Sequence, residues 1–252
     1  MPRSSRGGRH ELGQNFLTHA PSIDAILRLV ADTRGPILEL GAGDGALTFR
    51  LAALGRALTA IDIDEHRVRR LAQRVPTAEV VHADALSYPL RTPVIVGNIP
   101  FHVTTPILRR LLREPRWEHA ILLTQWEVAR KRAGVGGRTM MTAQHAPWFE
   151  FSLHGRVPRW GFSPPPSVDG GILGIARRGS PLLPAAERGA YEGFVRRVFS
   201  GRGGRLERIV QGAARVGPAV AQRAVARADA RGALPRDLTP EQWVTLWHAL
   251  RG

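Results

Sequence analysis

Short apolar runs alternate with amphipathic segments along the first two thirds of the chain. Pro36–Leu40, Ala57–Asp62, Glu79–His82, Pro93–Gly97 and Ala120–Thr124 come first, then Phe151–Val157 and Gly171–Ala176. Runs this short, bounded by Gly, Pro or charged residues, read as strands. Between them Ser22–Ala31, Leu47–Leu54, Glu65–Arg74, Pro106–Leu112 and Trp126–Arg132 predict helices; Ser22–Ala31 carries its apolar residues at helical spacing. The alternation predicts an α/β fold with a mostly parallel sheet. Only a Pro-rich link, Val157–Val168, joins the last two runs, which suits an antiparallel pair at the sheet edge. After about Arg177 the pattern is helical throughout, broken at Ser200–Gly204, Val216–Pro218 and Gly232–Pro240. The expected organisation is therefore an α/β domain over residues 1–176 and a small all-helical domain over 177–252.

Composition adds a partner to this picture. With 43% hydrophobic residues the chain can bury a real core. Net charge is +15, the pI is about 11.7, and Lys131 is the sole lysine, so arginine carries almost all the positive charge. A GC-rich coding sequence accounts for arginine over lysine but not for the excess of base over acid. A polyanion does, and the planar guanidinium suits phosphate and base stacking. Residues 177–252 hold 14 Arg against 6 Asp and Glu, a net of +8, as an RNA-gripping appendage would.

Other classes are excluded. The chain has no cysteine, which rules out disulfides, thiolate metal sites and cysteine nucleophiles. His145 and His154 have no partners at metal-ligand spacing, so no metal is expected. No run approaches a membrane span, and the basic stretch Met1–His10 lacks a following apolar region. A cytoplasmic protein is expected.

The segment Ile37-Leu38-Glu39-Leu40-Gly41-Ala42-Gly43-Asp44-Gly45 runs a strand into a glycine-rich turn that opens a helix. Glycine lets a ligand approach the backbone closely. The spacing is G-x-G-x-G, not the G-x-G-x-x-G of a pyrophosphate site, which argues against a nicotinamide-dependent reductase. Glu39 at the strand end would repel a pyrophosphate and favour the cationic amino and sulfonium end of S-adenosylmethionine. Asp62, 21 residues after Gly41, ends the second strand, where a carboxylate can accept from both ribose hydroxyls. Asp64 is a near neighbour, but strand phase favours Asp62. Asp84 ends the third strand within His82-Ala83-Asp84-Ala85 and is placed to accept from the cofactor's adenine amine. Three such features at consecutive strand ends of one open sheet are stronger than any one alone.

Gly97-Asn98-Ile99-Pro100-Phe101 ends the fourth strand. An adenine N6 amine is a poor nucleophile, because its lone pair is conjugated with the ring. Two acceptors would orient it: the Asn98 side-chain oxygen and the main-chain carbonyl of Ile99, with Pro100 keeping the turn rigid. Phe101 offers a face on which the extruded base can stack, worth about 1–3 kcal/mol. No base is required, since alignment supplies most of the acceleration of an in-line methyl transfer. In isolation the same letters would describe a turn followed by a core Phe; their place after the strand series argues for chemistry.

These motifs, together with Gly13-Gln14-Asn15-Phe16-Leu17, Ile61-Asp62-Ile63-Asp64, Gln125-Trp126-Glu127-Val128-Ala129 and Phe162-Ser163-Pro164-Pro165-Pro166-Ser167-Val168-Asp169, make the chain resemble the Erm family of 23S rRNA adenine N6-methyltransferases along nearly its whole length. The resemblance implies a Rossmann-like, seven-stranded class I methyltransferase sheet followed by a helical RNA-binding domain. It implies S-adenosylmethionine contacts from Gln14, Asn15, Leu17, Glu39, Gly41, Ala42, Gly43, Asp62, Ile63, Asp84, Ala85 and Asn98. It also implies that Asn98 and Phe101 hold the target adenine and that Phe162 flanks it. Many relatives have Tyr where Phe101 stands, which favours stacking over acid–base work at that position.

The small-subunit dimethyladenosine transferases share most of this pattern. Arg130-Lys131-Arg132-Ala133-Gly134-Val135-Gly136-Gly137, Thr142-Ala143-Gln144 and Trp148-Phe149-Glu150-Phe151 look instead like Erm enzymes of high-GC bacteria, and the Tyr-Gly-x-Leu-Ser-Val stretch of the small-subunit enzymes is absent. Arg130, Lys131, Arg132 and Arg138 are expected on a mobile phosphate-contacting loop. Trp126, Trp148 and Trp160 are candidates for base stacking, with Trp148 expected in the core. The implied activity is mono- or dimethylation of one 23S adenosine in the macrolide-binding region of the exit tunnel, by a monomer, giving macrolide, lincosamide and streptogramin B resistance. A 16S dimethyladenosine transferase and a non-catalytic RNA-binding relative are the alternatives.

Overall fold

The computed structural model describes residues 15–251. In chain order the elements begin with β1 (Phe16–Leu17), α1 (Ala20–Ala31), β2 (Ile37–Leu40), α2 (Thr48–Ala52), β3 (Leu58–Asp62), α3 (Glu65–Arg74), β4 (Glu79–His82) and β5 (Val94–Asn98). They continue with α4 (Thr104–Leu111), β6 (His119–Gln125), α5 (Trp126–Arg132), α6 (Met140–His145), β7 (Phe149–Val157), β8 (Phe162–Ser163) and β9 (Gly170–Arg177). Four helices close the chain: α7 (Arg188–Ser200), α8 (Leu206–Ala214), α9 (Pro218–Arg227) and α10 (Pro240–Ala249).

The main sheet has seven strands in the order β4-β3-β2-β5-β6-β9-β7. β2 pairs in parallel with both β3 and β5, β3 with β4, and β5 with β6. The chain builds outward from β2 to β4, then returns to lay β5 on the other side of β2. That reversal leaves a crevice beyond the carboxyl ends of β2 and β5, where open α/β sheets bind ligands. The register sets Leu40 opposite Gly97, so the glycine turn after β2 and Asn98 at the end of β5 emerge side by side.

Local chemistry explains the flanking helices. In α1 the buried residues Ser22, Ile26 and Val30 recur every fourth position, and a proline sits in the first turn, where its missing N–H costs nothing. Burying Ile26 and Val30 contributes about 1.5–3 kcal/mol each. Helix α3 starts where the Asp64 carboxylate accepts from the His66 and Arg67 backbone N–H groups at 3.0 and 3.2 Å.

The chain divides into two compact units, one up to Ala129 with Leu153–Ile175, the other Arg130–Ser152 with the residues from Ala176 onward. The second unit thus includes α6, which the sequence pattern did not single out. Its ties are long-range: the Tyr191 hydroxyl donates to the Ala143 carbonyl at 3.0 Å, and the Gln144 amide to that of Glu192 at 2.9 Å. Trp148 is a core residue here, with its indole N–H donating to the Leu183 carbonyl at 2.9 Å. An aromatic cluster of Tyr191, Phe194, Trp243 and Trp247 joins α7 to α10, with ring centroids 5.4–6.2 Å apart. No helix among the described residues is long and apolar enough to cross a membrane.

Gly97 lets β5 lie against β2. A Cβ there would stand 2.6 Å from the Leu40 carbonyl oxygen and 2.9 Å from Ile99 Cδ1, and a backbone oxygen cannot swing away. Gly97→Ala is expected to destabilise the fold by about 1–3 kcal/mol, read as a lower urea midpoint at unchanged slope; an unaltered midpoint would show that the strands yield freely.

Candidate active site

Gly41, Gly43 and Gly45 all have positive φ, at 70°, 56° and 91°, so the turn after β2 curls back over the sheet end in a conformation other residues resist. Asp62 holds it there. Its carboxylate is 5% exposed; Oδ2 accepts from the Gly43 N–H at 2.7 Å and Oδ1 from the Asp64 N–H at 2.9 Å. Each oxygen keeps a further lone pair for a ligand hydroxyl. Asp64 faces other work: burial alone would raise its carboxyl, but the α3 N–H groups and Arg67 hold it below the usual range.

Glu39 is the electrostatic centre of the turn. It is 1% exposed, and its Oε2 has no hydrogen-bond partner among the described residues. Burial pushes the carboxyl up to about 8; the Asp62 charge adds to the rise and the Thr48 hydroxyl opposes it. Such an acid is incomplete without a cation or donor, and this orphaned oxygen belongs to a residue lining a recess with Phe16, Leu17, Gly41, Ala42 and Asn98. A ligand with a cationic amino and sulfonium end, as expected of S-adenosylmethionine, fits that requirement.

Two further recesses adjoin it. One is lined by Asp62, Ile63, Asp84, Ala85, Leu86 and Ile99 among others. Ile63 and Leu86 expose 50% and 37% of their surface, which gives an apolar slot suited to a flat base. Asp84 Oδ1 accepts from the Leu86 N–H at 2.8 Å. The other recess is lined by Asn15, Phe16, Gly43, Asn98, Pro100 and Phe101, and it shares Gly41, Asp62, Ile99 and Pro100 with the first.

In this second recess the Asn98 amide nitrogen donates to the Asn15 carbonyl at 2.8 Å. That bond fixes the amide orientation and leaves Oδ1 as the end able to accept from a ligand N–H. Ile99 is 1% exposed, and its N–H donates to the Leu123 carbonyl at 3.0 Å. Pro100 holds φ −55° and ψ 133° before a short 3₁₀ turn that begins with Phe101. The Asn98 side-chain acceptor and the Phe101 ring thus line one recess.

The sequence-derived residues separate into three groups. Asn15, Leu17, Glu39, Gly41, Ala42, Gly43, Asp62, Ile63, Asp84, Ala85 and Asn98 to Phe101 line the adjoining recesses; Gln14 lies outside the described residues. Phe162 lines none of these three recesses: it is 2% exposed in a core with Leu17 and Leu123, because β8 pairs with β1 and sets Leu17 opposite Phe162. Arg130, Lys131, Arg132 and Arg138 belong to the helical unit. There Arg130 donates to the Val135 carbonyl at 2.9 Å, Arg132 to the Thr139 hydroxyl at 2.6 Å, and the Arg138 N–H to the Arg236 carbonyl at 2.8 Å.

One wall of the site is absent from the expected contacts. The Phe16 ring lies where a Cβ on Gly43 would approach within 3.0 Å, and the Arg67 guanidinium covers it at 4.3 Å. Arg67 is itself paired with Asp44 and, at 3.2 Å, with Asp64. The glycine at position 43 is the signal that the sequence offers, but nothing local says which side chain uses the space.

The profile of the family "Ribosomal RNA adenine dimethylase" matches residues 6–235. The chain is 54% identical over 208 residues to an rRNA adenine N-6-methyltransferase of Corynebacterium diphtheriae, covering 81% of this chain and 82% of that protein. It is 47% identical to the mycinamicin-resistance protein MyrB of Micromonospora griseorubida, covering 97% and 80%. Among solved structures it is similar to the 23S rRNA methyltransferase ErmE, with a TM-score of 0.86, 34% identity, and coverage of 94% of this chain and all of that one. A ribosomal RNA small subunit methyltransferase A of Myxococcus xanthus is more distant, at 29% identity over 271 residues, covering 99% of this chain and 93% of that protein.

The buried acid makes stability depend on pH. The folded value of about 8 lies above the ordinary 4.5, so between these the folded protein keeps a proton that the unfolded chain has released. The stabilisation is complete below about 4.5 and is lost as pH rises toward about 8. Glu39→Gln should remove this part of the decline in a ligand-free thermal unfolding series. An equal decline in the variant would assign the proton to another group.

Proposed function

We propose, from the premise that the chain belongs to the Erm family of ribosomal RNA adenine N6-methyltransferases, that it adds one or two methyl groups to N6 of a single adenosine in 23S rRNA and thereby confers macrolide, lincosamide and streptogramin B resistance. The observation that carries the reading is the Asn98–Asn15 hydrogen bond of 2.8 Å, which presents Oδ1 of Asn98 in a recess continuous with the glycine turn. The relatives of Corynebacterium and Micromonospora and the ErmE structure support the large-subunit substrate over the 16S alternative.

S-adenosylmethionine, when bound, supplies a methyl group on a sulfonium that leaves as a neutral thioether. Glu39 offers its buried carboxylate to the cationic end, while Asp62 accepts from the ribose hydroxyls and Asp84 from the adenine amine; Ile63 and Ala85 wall the base. Gln14, Asn15, Leu17, Gly41, Ala42 and Gly43 close around the rest. For the target, Asn98 Oδ1 and the Ile99 carbonyl each accept one N6 hydrogen, drawing the nitrogen away from planarity so that its lone pair points in line with the methyl. Pro100 limits the freedom of the Ile99 carbonyl, and Phe101 stacks on the base. The proton released after transfer passes to solvent, so no side-chain base is invoked. Residues 177–252, with Arg130, Lys131, Arg132 and Arg138, hold the RNA. The protein acts as a cytoplasmic monomer without a metal.

Incubation with S-adenosylmethionine and unmodified 23S or 16S rRNA, followed by mass spectrometry of nuclease fragments, tests the reading. One methylated exit-tunnel adenosine in 23S rRNA is expected; modification of the 16S 3′-terminal hairpin alone would move the chain to the small-subunit reaction, and methylation of neither would favour a non-catalytic role. Asn98→Ala should lower turnover by about 10²-fold or more with S-adenosylmethionine affinity nearly unchanged, and retained turnover would remove Asn98 from the nucleophile. Phe101→Ala should lose far more activity than Phe101→Tyr, and equal losses would remove stacking as its role.

A further inference from the structure

Within the helical unit lies a groove of about 750 Å³, far from apolar in its lining: Arg205, Arg208 and Gln211 from α8 and its start, Gln222 from α9, and Arg231 beyond it. The sequence of α8 explains the ridge. Leu206, Ile209, Val210 and Ala213 are buried, which leaves positions 205, 208 and 211, three apart, on the outer face. On α9 the buried Ala221, Ala224 and Val225 likewise turn Gln222 outward.

What distinguishes these arginines is that three of them share one groove, whereas other exposed arginines of the unit, such as Arg196, Arg202, Arg223 and Arg227, lie outside it. Elsewhere in the unit Arg178 pairs with Glu150, Arg188 with Glu192 and Arg251 with Glu187, each at 2.9 Å. Arg197 donates to the Ala213 carbonyl at 2.8 Å. Arg205, Arg208 and Arg231 are exposed and make no ion pair or side-chain hydrogen bond among the described residues. Glu207 is the one acid in the lining among the described residues, leaving three guanidiniums against one carboxylate. A groove with this surplus, two amides and more polar than apolar surface is poorly suited to a hydrophobic helix. It matches a phosphodiester backbone, where guanidinium forks take phosphate oxygens and amides take phosphate or 2′-hydroxyl groups.

We propose that this groove between α8 and α9 is a backbone-binding site for a segment of the ribosomal RNA other than the methylated nucleotide, with Arg205, Arg208 and Arg231 as the phosphate contacts. The inference rests on the reading of the chain as an rRNA methyltransferase and adds a site to it. The groove contributes affinity and orientation, not chemistry: its loss raises KM for RNA and leaves kcat at saturating RNA alone.

The test uses the full chain carrying Arg205→Gln, Arg208→Gln and Arg231→Gln together, with a 23S rRNA transcript bound without S-adenosylmethionine at 50–200 mM salt, a range chosen because affinity falls by about 10³–10⁵ across it when six to ten phosphates are neutralised. The slope of log affinity against log salt should become shallower by about 2, at about 0.7–0.9 for each phosphate no longer neutralised. KM for the transcript should rise about tenfold or more, as expected for losing roughly 1.4 kcal/mol of binding, with kcat and S-adenosylmethionine affinity unchanged. Arg205→Lys, Arg208→Lys and Arg231→Lys together should keep the wild-type slope, which a merely misfolded groove would not allow, and Arg223→Gln with Arg227→Gln, on α9 outside the lining, should leave it intact. An unchanged slope in the groove variant overturns the proposal. So does an equal loss in the α9 control, which would mean diffuse charge, or a loss confined to binding of an acidic protein. Failure of the wild type to methylate 23S rRNA would strike the functional reading instead, and the salt slope would still decide the groove.

Discussion

One buried carboxylate positions most of the site. Asp62 takes the Gly43 N–H on one oxygen and the Asp64 N–H on the other, tying the glycine turn of β2 to the end of β3. Gly43, held there without a side chain, leaves the space that Phe16 fills. Phe16 is in turn fixed by its backbone pairing with Ser163, and the residue before it supplies the carbonyl that orients Asn98. Breaking the first of these links would be felt at the last. A carboxylate expected to bind a ribose therefore also acts as the structural clamp of the loop beneath it, and its two roles use different lone pairs of the same oxygens.

Glu39 shows the opposite economy. Where Asp62 is satisfied by the fold, Glu39 is buried with an oxygen left unmatched. Unpaired buried polar atoms are costly, and the cost is tolerated where a ligand removes it. The unmatched oxygen lies at the place proposed for the cationic end of the cofactor. A cation or a hydrogen-bond donor relieves that cost, whereas an anion without a donor does not.

Much of the fold is legible in the sequence because its signals are local. Helices over 65–74 and 126–132 and the strand over 79–82 have the bounds that periodicity predicts, and the other sheet strands differ by one or two residues at their ends, where the pattern carries least information. The strand ends that carry Glu39, Asp62, Asp84 and Asn98 are likewise local features. The two-residue ribbon of β1 and β8 is not: it joins positions 16 and 163, and neither strand is long enough to show alternation. Nor does spacing reveal that Phe162 turns into the core, or that Phe16 becomes a wall of the site. Charge counting finds the basic surplus of residues 177–252, and the pairing of Arg188 with Glu192 four residues on is local; that Arg251 meets Glu187, 64 positions away, depends on how the helices pack.

The ribbon also bears on the order in which the molecule can be made. Residues 16 and 163 pair although 147 positions separate them, and closing so long a loop must wait until its second end exists. During synthesis the N-terminal segment emerges first and remains without its partner strand while β2 to β7 are added. Asn15 has no fixed carbonyl to offer Asn98 until Ser163 has left the ribosome. A chain that modifies ribosomal RNA is therefore born next to its own substrate with its catalytic pocket unfinished, and becomes competent only after about two thirds of it has been released.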